Sequence, residues 1–133
     1  MKSAYHLQES PIPEGYQIYE ERLEVAGLVY RKKDVARFIR GRRPRLEFER
    51  EPTNKHDPNA IKIIGISESP LFGPRKRHIG YVPAEIAERI VAGGYWNRVL
   101  PRLLHTYLSD KGFVEVDFQL LGPRGGKRQY EDL

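Results

Sequence analysis

The chain has 133 residues, a net charge of +5 and no cysteine. That length predicts one domain with enough buried surface for a core that needs no staples, and the missing cysteines exclude disulfides and thiolate metal sites. No apolar run approaches the roughly 20 residues of a membrane helix, and MKSAYHLQESPIPEGY lacks the apolar segment of a signal peptide, so a cytoplasmic protein without membrane contact is expected.

In chain order, residues 1–22 are polar and Pro-containing and predict an N-terminal arm. LEVAGLVY, Leu23 to Tyr30, alternates and predicts a first strand. KDVARFIRG predicts a short helix, with Asp34 as N-cap, Val35, Phe38 and Ile39 on one face, and Gly41 at its end. RLEFERE, Arg45 to Glu51, predicts a half-buried strand, Leu46 and Phe48 facing in and Arg45, Glu47 and Glu49 facing out. Pro52 stops it, and an Asn/Asp/Pro loop follows. AIKIIGI predicts a strand, SESPLFGPRKR a longer loop, and HIGYVP a short strand ending at Pro83. PAEIAERIVAGG predicts a helix with Pro83 in its first turn, Glu85 at the positive end of its dipole, and Ile86 and Ile90 on one face. RVLPRLLHTYL and FVEVDFQLL around SDKG predict a hairpin, with Val114, Val116, Phe118 and Leu120 inward and Pro101 at an edge or bulge. Residues 122–133 predict a flexible basic tail. The expected fold is mainly β with one or two short helices, a small partly open barrel of OB-like or SH3-like type.

The charge is clustered. Eight Lys or Arg and one Asp lie between Val29 and Arg45; Arg75, Lys76, Arg77 and His78 form a second group, and Arg124, Lys127 and Arg128 a third. Together with eight tyrosines these clusters point toward a nucleic-acid surface.

REPTNKHDPNAIKI, followed after a variable loop by IGYVPAEIAERI, resembles the HIRAN domain, whose pattern runs Arg-Glu-Pro, Asn, Asp, Asn-Ala-aliphatic, then Ile-Gly-Tyr-aliphatic-Pro and a helix containing Ala. VAGLVY resembles the family's first strand. The resemblance covers residues 23–121. It implies an OB-like barrel in a small stand-alone bacterial member of a family otherwise fused to Swi/Snf-type helicases and nucleases. It also implies a module that caps a single-stranded 3′ end of DNA and recognises its free hydroxyl. Two positions depart from the pattern. His56 stands where DNA-binding members often carry Tyr, and Val29 stands where Arg can precede Tyr30, with Arg31 on the far side.

Such a pocket needs flat side chains for unpaired bases, cations for phosphates, and an acceptor that pairs only with a free terminal hydroxyl. Tyr30, Tyr81 and His56 are the candidate stacking groups, with Gly80 letting a base approach the strand. Arg31, Arg50, Arg75 and Lys76 are the candidate cations, and Asp57 is the candidate acceptor. Asn54 and Asn59 are expected to tie the loop backbone, and Trp96 to pack. No cofactor is implied. His6, His56, His78 and His105 lack ligand-like spacing, so no metal is expected. The expectation is a non-catalytic module binding single-stranded DNA, including its 3′ end, in repair or processing. Two alternatives stay open: a protein-interaction domain docking on a helicase or nuclease, and a metal-dependent phosphodiesterase using Glu47, Glu49, Glu51 and Asp57.

Overall fold

Among the described residues, seven strands pair antiparallel in two sheets. The computed structural model describes residues 10–133 in full and residues 4–7 as backbone; residues 1–3 and 8–9, part of the expected arm, lie outside the described residues. The elements are β1 (Ala4–Leu7), β2 (Tyr16–Glu24), α1 (Lys32–Arg40), β3 (Arg42–Arg50), β4 (Ile61–Ser69), β5 (Gly73–Tyr81), α2 (Ala84–Ala92), β6 (Leu100–Leu108), β7 (Val114–Pro123) and α3 (Lys127–Glu131). One sheet has the order β1-β6-β7-β2 and the other β3-β4-β5. On one side the sheets are joined by a bridge between Ala26 and Tyr81, whose N–H groups donate to each other's carbonyls at 2.8 and 2.9 Å. On the other side β3 packs against β6. The result is the small OB-like, mainly β fold with few short helices, its two sheets not closed into one barrel.

α1 closes the inside of the three-stranded sheet. Val35, Phe38 and Ile39 are buried on one face, while Arg37 and Arg40 complement the helix C-terminus. Arg31 takes the N-cap position and Asp34 lies within the first turn, not at the cap. β4 passes close beneath this helix. A Cβ added at Gly65 would stand 2.8 Å from the Phe38 ring, so only glycine lets the two elements approach this far. Ile61, Ile63, Ile79, Ile90, Phe118 and Leu120 are fully buried, each worth about 1.5–3 kcal/mol of apolar burial.

β3 alternates as its sequence predicts, with Leu46 buried, Phe48 half-buried and Arg45, Glu47 and Glu49 exposed. The β6–β7 hairpin forms, with Val116, Phe118 and Leu120 buried and Val114 half-buried. Pro101 sits at the start of β6, before the residues that β1 pairs, and the register shifts between Leu103 and His105.

Four expectations give way. Residues 16–22 belong to β2, a strand against β7 rather than an arm. Strand character ends at Glu24, and Leu28–Arg31 is a 3-10 turn opened by Gly27 at φ 79. The supposed loop over residues 67–77 is mostly hairpin: β4 runs to Ser69 and β5 begins at Gly73, so Arg75, Lys76 and Arg77 are strand residues. The tail is docked. Tyr130 is fully buried, with ring centres 5.0 Å from Tyr19 and 5.6 Å from Tyr95, and its hydroxyl donates to Glu20 at 2.7 Å. Gly122 and Gly126 lie against the Tyr19 ring and hydroxyl, where a Cβ would collide.

Candidate nucleic-acid interface

The loop between β3 and β4 is organised by its own side chains. Asn54 Oδ1 accepts from the N–H groups of His56 and Asp57 at 2.8 and 3.0 Å, while its Nδ2 donates to Glu51 Oε1 at 2.6 Å. Asp57 Oδ1 accepts from the Asn59 N–H at 2.9 Å. Backbone bonds from Glu51 to Ala60, Asn54 to Glu51 and Ala60 to Asp57 close the neck. Asn54 thus ties the loop through its side chain, whereas Asn59 contributes its backbone N–H. Asp57 is half-buried, and its Oδ2 accepts no hydrogen bond among the described residues. His56 is exposed.

Glu51 joins this loop to the sheet. Its Oε1 also accepts from the Tyr81 hydroxyl at 2.9 Å, and its Oε2 lies 3.2 Å from Lys62 Nζ, which reaches Glu49 at the same distance. The Asn54 bond, with further help from Tyr81 and Lys62, holds the Glu51 carboxyl below its ordinary range. The bonds to Glu51 and Glu49 hold the Lys62 ammonium above its own range. Burial, then the bond to Glu51, raises the Tyr81 phenol. Tyr81 is half-buried, and its ring meets the His78 ring edge to face at 4.9 Å. Burial and the nearby Arg31 charge push His78 down. His78 Nε2 lies 2.9 Å from the Gly80 carbonyl, which can only accept, so Nε2 carries the proton and Nδ1 is free of it in the neutral ring.

Strand register sets what shares this face. Lys62, Ile64 and Ile66 of β4 stand between Glu49, Glu47 and Arg45 of β3 and Tyr81, His78 and Lys76 of β5. A register shift between Ile63 and Ile64 keeps Tyr81 on the same face as His78 and Lys76. The 3-10 turn sits beside this row. Tyr30 is 88% exposed there, and the Arg31 charge is close enough to Tyr81 to offset a small part of the rise in its phenol.

The structure therefore gathers Tyr30, Arg31, Asp57 and Tyr81 at one end of the three-stranded sheet, with His56 on the rim. Arg50 is turned to other work. It donates to the Pro58 carbonyl at 3.0 Å and lies 5.9 Å from the Trp96 ring, and its Nε is buried without a partner among the described residues. Lys76 and Arg75 lie about 17–20 Å from Tyr81 along β5, at five and six residues of strand rise. Lys76 pairs with Glu47 at 3.0 Å, and Arg75 lies over the Phe72 ring at 5.3 Å. Gly80 has a different purpose from the one expected. A Cβ there would strike the Ala26 carbonyl and Val25, so its bare backbone admits the sheet-to-sheet bridge and not a base. Trp96 packs half-buried against Phe48, ring centres 6.4 Å apart.

Lys62 and His78 do not stand out in the sequence as site residues, and Glu51 does so only as a possible metal ligand, not as the anchor of the loop. Glu51 reads as the last member of an alternating acidic row, although an Asn three residues on, beyond a Pro, is a signal that its carboxylate anchors a turn. Among the described residues no group of three or more His, Cys, Asp or Glu side chains is placed to hold a metal.

Residues 18–92, more than half of the chain, match the family model of the HIRAN domain. The chain belongs to the HIRAN domain family. HIRAN domains are generally nucleic-acid-binding modules. The matched stretch runs from β2 to the end of α2 and so contains the whole loop and sheet face described above. The protein is also similar to the crystal structure of the HIRAN domain of human HLTF, with 16% identity, a TM-score of 0.49 and coverage of 91% of each chain. No curated protein matches it. No helix among the described residues is long and apolar enough to cross a membrane.

Proposed function

We propose that this HIRAN domain binds single-stranded DNA and caps its 3′ end at the β3–β4 loop, without catalysing a reaction itself. The observation that carries this is the half-built hydrogen bonding of Asp57. One carboxylate oxygen is committed to the loop's backbone and the other is left open, in a loop that Asn54 and Glu51 tie to the half-buried Tyr81, while the exposed Tyr30 stands on the 3-10 turn that packs on β5. An ionised carboxylate accepts and does not donate, so it pairs with a terminal hydroxyl and repels a further phosphate. Tyr30 offers an open ring for the last base. Arg31 is the nearby cation for the phosphate behind it. The loop is braced before ligand arrives, which lowers the ordering entropy lost on binding.

The phosphodiesterase alternative draws no support from the acidic row. Glu47 is paired with Lys76, and Glu49 and Glu51 share Lys62. A module that holds an end in this way leaves chemistry on that end to a partner, such as a helicase or nuclease in DNA repair or processing.

The test is fluorescence anisotropy with the whole chain, in which a labelled linear single strand is competed by unlabelled linear or circular single strands of the same composition. Linear competitor is expected to displace the probe at lower nucleotide concentration, in proportion to its ends. Equal competition by circles overturns end capping, and no binding at all overturns the nucleic-acid function.

A further inference from the structure

We propose that the β4–β5 hairpin tip, Leu71 with Phe72, is a wedge that stacks on the end of base-paired nucleic acid adjoining the strand held at Tyr81. This rests on the single-strand function proposed above and adds a second contact to it.

The tip is apolar, exposed and built. Leu71 is 85% and Phe72 68% exposed, the first among the most exposed large apolar residues described. Neither exposure comes from a loose loop. Ser69 pairs with Gly73 at the end of the ladder, Ser69 Oγ accepts from the Phe72 N–H at 3.0 Å, and Gly73 takes the left-handed backbone at φ 68. A three-residue hairpin loop closed by a left-handed glycine is a defined turn, and Pro70 stiffens it. The turn spends its rigidity on holding two large apolar side chains in water, which packing within the domain does not explain.

Its surroundings identify the partner. Arg75 lies over the Phe72 ring at 5.3 Å. Beside the tip, Arg42, Arg43, Glu68, Ser69, Pro70 and Gly73 line an open cleft of about 370 Å³. Arg43 holds a left-handed backbone, φ 52, a conformation that non-glycine residues rarely adopt, where the register between β3 and β4 shifts. Such a bulge re-aims side chains. Among the described residues, Arg43 and Arg45 pair with Glu68 and Lys76 with Glu47, while Arg42 and Arg75 make no ion pair, so cations are in excess here. An apolar pair flanked by excess cations suits a base step with phosphates on either side.

The placement also fits. Lys76, His78 and Tyr81 share one face of the sheet, and this row leads from the end-binding loop toward the tip. Tyr81 to the tip is about 25–30 Å of strand, the length of about eight stacked nucleotides. A single strand laid along β5 would therefore bring its first base pair to Leu71 and Phe72.

The test compares an overhang of about eight nucleotides alone with the same overhang attached to a DNA hairpin, 2-aminopurine replacing the adenine of its terminal base pair. Wild-type chain and the double variant Leu71→Ser, Phe72→Ser are each titrated, with circular dichroism confirming the fold of this surface variant. Wild type is expected to bind the junction about tenfold more tightly than the overhang alone and to change the 2-aminopurine emission. The double variant is expected to bind the overhang normally and to show neither the tenfold advantage nor the emission change. If wild type binds the overhang but draws no advantage from the duplex, or the variant keeps that advantage, the wedge is wrong and the single-strand function stands. If wild type binds neither probe, the single-strand function fails and the wedge fails with it. Vesicles of phosphatidylserine and phosphatidylcholine form the third arm. Vesicle binding abolished in the variant, with junction binding retained, would make the tip a membrane-binding element and overturn the proposal.

Discussion

Replacing Asn54 by Ala removes three hydrogen bonds at once: two that its Oδ1 accepts from His56 and Asp57, and one that its Nδ2 donates to the Glu51 carboxylate at 2.6 Å. A neutral hydrogen bond contributes about 1 kcal/mol net and one to a charged group about 1.5–3 kcal/mol. The loop is partly exposed and water replaces some of this, so the expected loss is about 2–4 kcal/mol for holding the loop closed. That loss need not reach the global transition, because a loop can open while the sheets stay folded. The direct assay is therefore native-state amide hydrogen exchange. The His56 and Asp57 N–H groups are expected to lose about 30-fold or more of their protection, while Ile61 and Ile63 keep theirs. Asn54→Asp is the informative companion. Its carboxylate still accepts both N–H groups, but it faces Glu51 with a like charge, so its loop should close only at low pH, once one of the two carboxylates is protonated. Unchanged protection of His56 and Asp57 in Asn54→Ala would refute the account of how the loop is held.

Three other outcomes are expected. Removing Arg31 by Ala should weaken binding of all single strands alike and reduce the slope of log affinity against log salt by about 0.7, the share of the single phosphate that Arg31 neutralises; a salt-independent affinity would contradict it. His78 is held below its ordinary 6.5 and Glu51 below 4.5. In both cases the unfolded chain binds the proton more readily, so stability is full above those ordinary values and falls as pH drops through the folded ones. Urea melts across pH should show a decline starting below about 6.5 that His78→Gln removes. Tyr130→Ala should cost about 3–5 kcal/mol in denaturation, as for a buried large aromatic, whereas a mobile tail would lose nothing.

How much of the fold and the site is legible in the sequence depends on local pattern. β3 is readable because its inward and outward residues alternate without interruption. α1 is readable because Val35, Phe38 and Ile39 fall on one helical face. β2 is obscured by register shifts between Ile18 and Glu20 and between Glu20 and Leu23, which break the two-residue period. The outer half of the β4–β5 hairpin reads as a loop because Pro70, Gly73, Pro74 and a run of cations imitate one, although those cations are strand side chains. The docked C-terminus rests on Tyr130, whose partners Tyr19 and Tyr95 are distant in sequence. At the site, Asn54 and Asp57 are legible because their short polar side chains bond locally. Glu51 and Lys62 are not, since their meeting depends on the pairing of β3 with β4. Gly80 is recognisable as a close-approach position, but which backbone approaches, that of Ala26, is set by the bridge between sheets.

Whether Asp57 reads a free 3′ hydroxyl is decided by the ratio of dissociation constants for the same short oligonucleotide with a 3′ phosphate and a 3′ hydroxyl, in wild type and in Asp57→Asn. The asparagine keeps an oxygen for the Asn59 N–H, so the turn survives while the charge is removed. Wild type is expected to prefer the hydroxyl by about tenfold or more, as for a hydrogen bond to a charged group worth about 1.5–3 kcal/mol, and the variant to lose most of that preference with an unchanged melting temperature. A folded variant that discriminates the two ends as well as wild type does would contradict the account and leave the β3–β4 loop as a turn alone.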